Sequence, residues 1–246
     1  MKKNTIYIFI VFIIMIFTAA NVSADTITIA INPDSKPFKY YNEEGEFSGI
    51  DADVINALAE ETDLDLEFIE MDFDKIIDAV KECQVDAAIS ALTLTENRAQ
   101  AVDFTEPYIL SAQSAFVRLK NDGIKDITDE NIHVFGAKRA TTAENTVNIL
   151  GDRFGREVKL YTSYAELFKA LENDEIDAAI ADELLAKDFV DTYADMMTIG
   201  QPLSAEPYAI AVCPSNPELT EKLNAGLLKL QQDGKINEII LKNLER

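Results

Sequence analysis

Residues 73–91 (FDKIIDAVKECQVDAAISA) and 164–182 (YAELFKALENDEIDAAIAD) follow one pattern, so a single structural unit is written twice in this chain. Phe73, Ile76, Ile77 and Val80 recur at helical spacing, as do Tyr164, Leu167, Phe168 and Leu171. Each set leads into a short apolar run opening with Asp-Ala-Ala-Ile, which reads as a buried parallel strand. Helix-then-strand units resemble one another in any α/β protein, and a structural duplication into two similar lobes is the reading adopted here. Open α/β sheets bind ligands beyond the carboxyl ends of their strands. Those ends are Ser90 to Thr93 in one copy and Ala181 to Asp182 in the other, and facing each other they would form a cleft.

The chain has 246 residues, 48% of them apolar, enough for one large or two modest cores. Residues 1–24 stand apart. Lys2 and Lys3 precede an apolar run at 6–17, and Val22-Ser23-Ala24 supplies small residues for cleavage after Ala24, the pattern of a secretory signal peptide. The run is short for a membrane span of about 20 residues, although an uncleaved anchor also fits. The remaining chain carries 20 basic and 44 acidic residues, a net charge of −24. Nucleic acid and anionic membrane surfaces are poor partners for such a chain. Cys83 and Cys213 have the compartment in which to pair, but the sequence does not show that they approach each other. His133 is the sole histidine and no cluster has metal-ligand spacing, so no metal or cofactor is expected.

Along the chain, the spacing predicts strands at 26–31, 64–69, 133–137 and 158–161, with a polar loop at 32–37. A helix opens at Gly49-Ile50-Asp51-Ala52-Asp53-Val54, with its acidic residues in the first turn, where the helix dipole favours them. Thr95 caps a helix beginning Glu96-Asn97-Arg98. Thr141-Thr142-Ala143-Glu144 and Ser163-Tyr164-Ala165-Glu166 have the form of capping boxes. Asn216 and Pro217 start a closing helix pair, and residues 102–119 and 201–212 read as two crossings between lobes.

At Gly49-Ile50-Asp51-Ala52-Asp53-Val54, at residues 86–98 (DAAISALTLTENR), at residues 102–108 (VDFTEPY) and at Thr141-Thr142-Ala143-Glu144, the chain resembles the polar amino acid solute-binding proteins of ABC transporters. Ala181-Asp182 and residues 207–212 (PYAIAV) continue the likeness, which covers essentially the whole chain after residue 24. The resemblance implies an α/β fold of the two-lobed, type II periplasmic-binding kind, with each mixed sheet flanked by helices and a two-strand hinge between them. It places residues 25–108 and 208–246 in the first lobe and 112–205 in the second. It also implies a secreted or periplasmic monomer, not an enzyme, that closes around one amino acid and hands it to a membrane permease.

A free amino acid offers a carboxylate and an ammonium, so its site needs donors on one side and acceptors on the other. Arg98 presents a planar fork for the carboxylate, in the first turn of the helix capped by Thr95. An exposed arginine paired with Glu96 or Asp103 is the alternative, and Arg98 also matches the family's carboxylate-binding arginine. Thr93 adds a hydroxyl donor. Asp182 ends the second repeated strand and resembles the family's ammonium-binding aspartate, with the carbonyl of Ala91 as a second acceptor; a helix cap is its other reading. Thr141 and Thr142 meet the carboxylate from the second lobe, or simply cap their helix. Phe73 fits a ring laid against the ligand and equally a core position. Asn32 stands where relatives often carry Asp, and Ser35 where many carry an aromatic, so a cationic ligand side chain loses a natural partner. Lys138 is a donor for a side-chain amide or carboxylate, or else a solvated lysine, and the ligand reading leans to a glutamine-like or acidic amino acid. Ala140 replaces the family's usual Gly, which bears on close backbone approach at that loop. The alternatives are a small-molecule dehydratase on the same fold and a ligand-sensing receptor domain.

Overall fold

The computed structural model describes residues 25–245, apart from 122, 193 and 194. The signal peptide expected at 1–24 lies outside the described residues. In chain order the elements are β1 (Asp25–Ile31), β2 (Tyr40–Tyr41), β3 (Phe47–Ser48), α1 (Ile50–Thr62), β4 (Leu64–Glu70), α2 (Phe73–Lys81), β5 (Ala87–Ala88), α3 (Glu96–Ala99), β6 (Asp103–Phe104) and β7 (Ile109–Arg118). There follow β8 (Val134–Lys138), α4 (Thr142–Phe154), β9 (Glu157–Tyr161), α5 (Tyr164–Glu172), β10 (Ala178–Asp182), α6 (Glu183–Thr192), β11 (Met196–Tyr208), β12 (Ala211–Val212), α7 (Pro217–Gln232) and α8 (Lys235–Leu244).

Two five-stranded sheets carry the molecule, in the orders β4-β1-β5-β12-β6 and β11-β7-β10-β8-β9. Reversing the second order matches β4 with β9, β1 with β8 and β5 with β10, so the duplication read from two segments extends to whole sheets. In each, the repeated strand lies parallel to one neighbour and antiparallel to the other. The fold is therefore two α/β lobes, each a mixed sheet flanked by helices, and the chain passes between the sheets twice, from β6 to β7 and from β11 to β12. β7 and β11 pair antiparallel along most of their length, with a register shift between Ile199 and Ser204.

Local chemistry explains the boundaries. Gly49 precedes α1 at φ 112°, and a Cβ there would stand 2.4 Å from the carbonyl oxygen of Phe38, so only glycine fits. Ser163 and Asn216 accept from the backbone N–H groups of Glu166 and Leu219, capping α5 and α7. The box expected at Thr141 does not close: the Thr141 hydroxyl donates backward to Lys138 O at 2.7 Å, and Glu144 receives the N–H of Ala140, one residue before the cap, at 2.6 Å. The strand expected to begin at His133 begins one residue later, and His133 is exposed. Helices α7 and α8 return to pack on α1, burying Leu223, Leu227, Leu230, Ile236 and Ile239.

Cys83, just beyond α2, and Cys213, just beyond β12, form a disulfide across 130 residues of sequence. The pairing that the sequence left open is thus made, tying the end of a repeated helix to the strand on which the chain re-enters the first sheet.

Candidate functional site

The carboxyl ends of the two repeated strands face a common, tightly closed cavity lined from both lobes. Phe73, Ala91, Thr93, Arg98, Lys138, Thr141, Thr142 and Asp182 all line it, so eight of the nine expected residues converge. Asn32, the ninth, lines the adjoining cleft with Phe73 and Lys138. The cavity is also lined by Ser90, at the strand end marked above, by Tyr164, read above only as part of a helical apolar face, and by Lys39 and Leu185, which the sequence did not mark.

After β5 the chain turns at Ala91, whose φ of 48° is held by a bond from its N–H to the buried carboxylate of Asp51, 2.7 Å away. Asp51 also receives the Tyr108 hydroxyl at 2.7 Å. Burial pushes its carboxyl up to about 6, against the lowering pull of those bonds and of Lys39. The turn carries the chain to Thr93 and to the one-turn helix α3, where the Thr95 hydroxyl accepts from Arg98 N at 3.2 Å. The Arg98 guanidinium then donates to Thr93 O at 2.9 Å and, across the cleft, to Ala140 O at 3.0 Å. Neither Glu96 nor Asp103 takes it as an ion-pair partner. Burial lowers its pKa while Glu206 and Asp182 pull it back up. Ala140 sits at φ 61°, the left-handed conformation glycine would adopt freely, so the loop keeps that shape with alanine in place.

Asp182 stands on β10, 5% exposed, and its carboxylate receives the Tyr208 hydroxyl at 2.5 Å. Burial first, and then repulsion from Glu206, raise its pKa to about 7, against the lowering influence of Tyr208, Gln113 and Arg98. Glu206, on the return strand β11, is buried and joins the lobes: the hydroxyls of Thr93 and Thr142 both donate to its Oε2, at 2.7 and 2.9 Å. Two hydroxyls read as ligand donors are therefore engaged by this glutamate. A crossing strand rich in proline and small residues gave no pattern that marked Glu206.

At the other end, Lys138 is 2% exposed, which removes the solvated reading. Its ammonium pairs with Asp34, donates to Asn32 Oδ1 at 3.3 Å and lies 4.8 and 5.0 Å from the rings of Phe73 and Tyr164. Burial first and then Lys39 bring it down to about 8, against the pull of Asp34. Burial tends to raise Asp34, yet the two lysines outweigh it and hold its carboxyl below the ordinary value. Phe73 lines the cavity and also packs on the core beneath α2.

The model of bacterial extracellular solute-binding proteins, family 3, matches residues 27–246. The chain belongs to this family. This family 3 protein is 28% identical to a probable histidine-binding protein of Campylobacter jejuni over 91% of the chain and 88% of that relative. It is likewise 28% identical to the ABC transporter glutamine-binding protein GlnH of Bacillus subtilis, over 89% and 81%. Among solved structures, an ancestral arginine-binding protein bound to arginine matches with a TM-score of 0.83 at 32% identity, covering 90% of this chain and 99% of that one. The family is one of extracellular proteins that bind solutes, in keeping with a cavity between lobes.

Proposed function

We propose that this protein captures a free L-amino acid between its lobes and delivers it to the permease of an ABC transporter. The observation that carries the reading is that Arg98, on α3, and Asp182, on β10 of the other lobe, line one cavity. Arg98 takes the α-carboxylate through guanidinium N–H groups beyond the two already bonded, since the side chain has five. Asp182 takes the ammonium, with the carbonyl of Ala91 beside it. Thr93 and the residues opening α4, Thr141 and Thr142, supply further donors once their hydroxyls turn from Glu206 and Lys138. Each charged end of the ligand then meets both lobes, and binding favours the closed arrangement because that arrangement has more ligand contacts. The side chain runs towards Phe73, Lys138 and the neighbouring Asn32, and Lys138 favours an acceptor there, as in a glutamine-like or acidic amino acid. The named relatives bind histidine and glutamine, and the solved neighbour arginine, so the amino acid class is supported by likeness and the side chain by the lysines.

A thermal-shift screen against the common L-amino acids tests the reading. A true ligand at a hundredfold excess over its dissociation constant stabilises by ~2.7 kcal/mol. No shift with any of them would overturn it, and chemical conversion of a bound ligand would replace it with the dehydratase reading.

A further inference from the structure

Lys39 is 1% exposed although it is a charged residue just beyond the polar loop at 32–37. A narrow bridge holds it there: Ser35 N donates to Lys39 O at 2.8 Å and Lys39 N to Ser35 O at 2.7 Å, turning the lysine back over β1. Ser35 itself is small and buried, which leaves the space beside it to the lysine stem. The Lys39 ammonium pairs with one oxygen of Asp34 and donates to Asn32 O at 3.0 Å, and Lys138 takes the other oxygen of Asp34 from across the cleft. Both lysines line the cavity.

Donors exceed acceptors at this end. Each ammonium has three N–H groups, and the contacts above engage two on each, leaving one apiece beside the cavity. Both Asp34 oxygens are taken. Asp51, the next carboxylate behind Lys39, has its oxygens bonded to Ala91 N and the Tyr108 hydroxyl. Asp182 and Glu206 stand with Arg98 at the opposite end, and Asp74 acts on Lys138 from the outer cleft. Lys39, Lys138 and Arg98 also gather around one ring, 5.7, 4.8 and 5.9 Å from the centroid of Phe73. A guanidinium or imidazolium entering here would meet two ammonium groups whose shared carboxylate, Asp34, is already engaged, while Asp72 and Asp74 line the outer cleft beyond them. An amide would bring an NH2 group that needs an acceptor, whereas a carboxylate accepts only. Buried cations of this kind are costly until they are fully paired.

We infer that the ligand is a dicarboxylic amino acid whose side-chain carboxylate is received jointly by Lys39 and Lys138. The inference rests on the amino acid reading above and sharpens it to one substrate class. Lys39 is then the residue that separates acid from amide, because it adds the second donor.

Isothermal titration calorimetry of the protein with L-glutamate, L-aspartate, L-glutamine and L-arginine decides it. Glutamate or aspartate should bind at least about tenfold more tightly than glutamine, and arginine most weakly. Lys39→Met should shrink the acid-to-amide preference by about tenfold, and Lys39→Arg should retain it. Glutamine or arginine binding as tightly as the acids overturns this inference and leaves amino acid capture standing, whereas failure of every amino acid to bind removes both. Should Lys39→Met not fold, the wild-type preference and the same ratio in Lys138→Met decide the matter.

Discussion

In both helix-then-strand units the turn after the helix is closed by the same backbone bond, Gln84 N to Ala79 O in one and Glu175 N to Ala170 O in the other, each 2.9 Å. The correspondence continues side chain by side chain. Asp86 receives the N–H and hydroxyl of Thr28, in the middle of β1, and Asp177 receives the N–H groups of His133 and Val134, at the entry of β8, so each aspartate anchors the neighbouring strand. Then the copies part. Ala91 and Asp182 occupy the same place in the pattern, yet Ala91 adopts a left-handed turn that leads on to Arg98, whereas Asp182 stays in the strand and presents its own carboxylate. Duplicated scaffolding delivers two strand ends to one cavity, and the residues at those ends give opposite charge to its two sides.

A second divergence lies at the turn itself, where Cys83 and Asp174 correspond and both have positive φ, 52° and 59°. Cys83 is held covalently to Cys213, while Asp174 is held by Arg118 and Lys120 at a half-exposed surface. One copy is locked and the other is only paired.

The sharpest way to break the charge contrast is Arg98→Ala, expected to weaken amino acid binding by about 2–5 kcal/mol, as truncating one partner of a buried charge pair does. Unchanged affinity in calorimetry would take Arg98 out of the site. Replacing both Cys83 and Cys213 by Ser should cost about 2–4 kcal/mol of unfolding stability in urea titration; an unshifted midpoint would mean that the locked turn needs no lock. Asp182→Asn keeps an acceptor but loses its charge, so affinity should fall by about 1.5–3 kcal/mol, and normal affinity would assign the ammonium elsewhere.

Acidity gives a smaller and more graded effect. The Asp182 carboxyl is raised to about 7, against about 3.9 when unfolded, so between those values the folded chain holds the extra proton and its unliganded stability falls as pH rises. A ligand ammonium favours the ionised form and expels that proton. Affinity should therefore drop as pH falls below about 7, by at most about tenfold per unit, with binding heats that depend on the buffer's ionisation enthalpy; buffer-independent heats would contradict it. Asp174→Ala should have the least effect of all, because half-exposed ion pairs are screened by water and salt, and its melting temperature should stay close to wild type.

Much of this architecture was legible because it is written in period and in capping residues. The repeated apolar spacing announced α2–β5 and α5–β10, and Asn216 before Pro217 announced α7. Asp182 was readable as the end of the second repeated strand, and Arg98 as a cation in the first turn of the helix capped by Thr95. Glu206, Lys39 and Asp34 were not, because their burial comes from tertiary contacts: a lysine in a loop reads as solvated until the other lobe covers it. The disulfide was hidden for the same reason, since 130 residues separate its cysteines and only the antiparallel return of β12 beside β5 brings them together.

The bond from Arg98 to the carbonyl of Ala140 gives the guanidinium a second office as a fastener between the halves. Whatever shortens the reach at position 98 loosens the clasp as well as the grip, so a variant that captures its amino acid poorly should also let it go quickly.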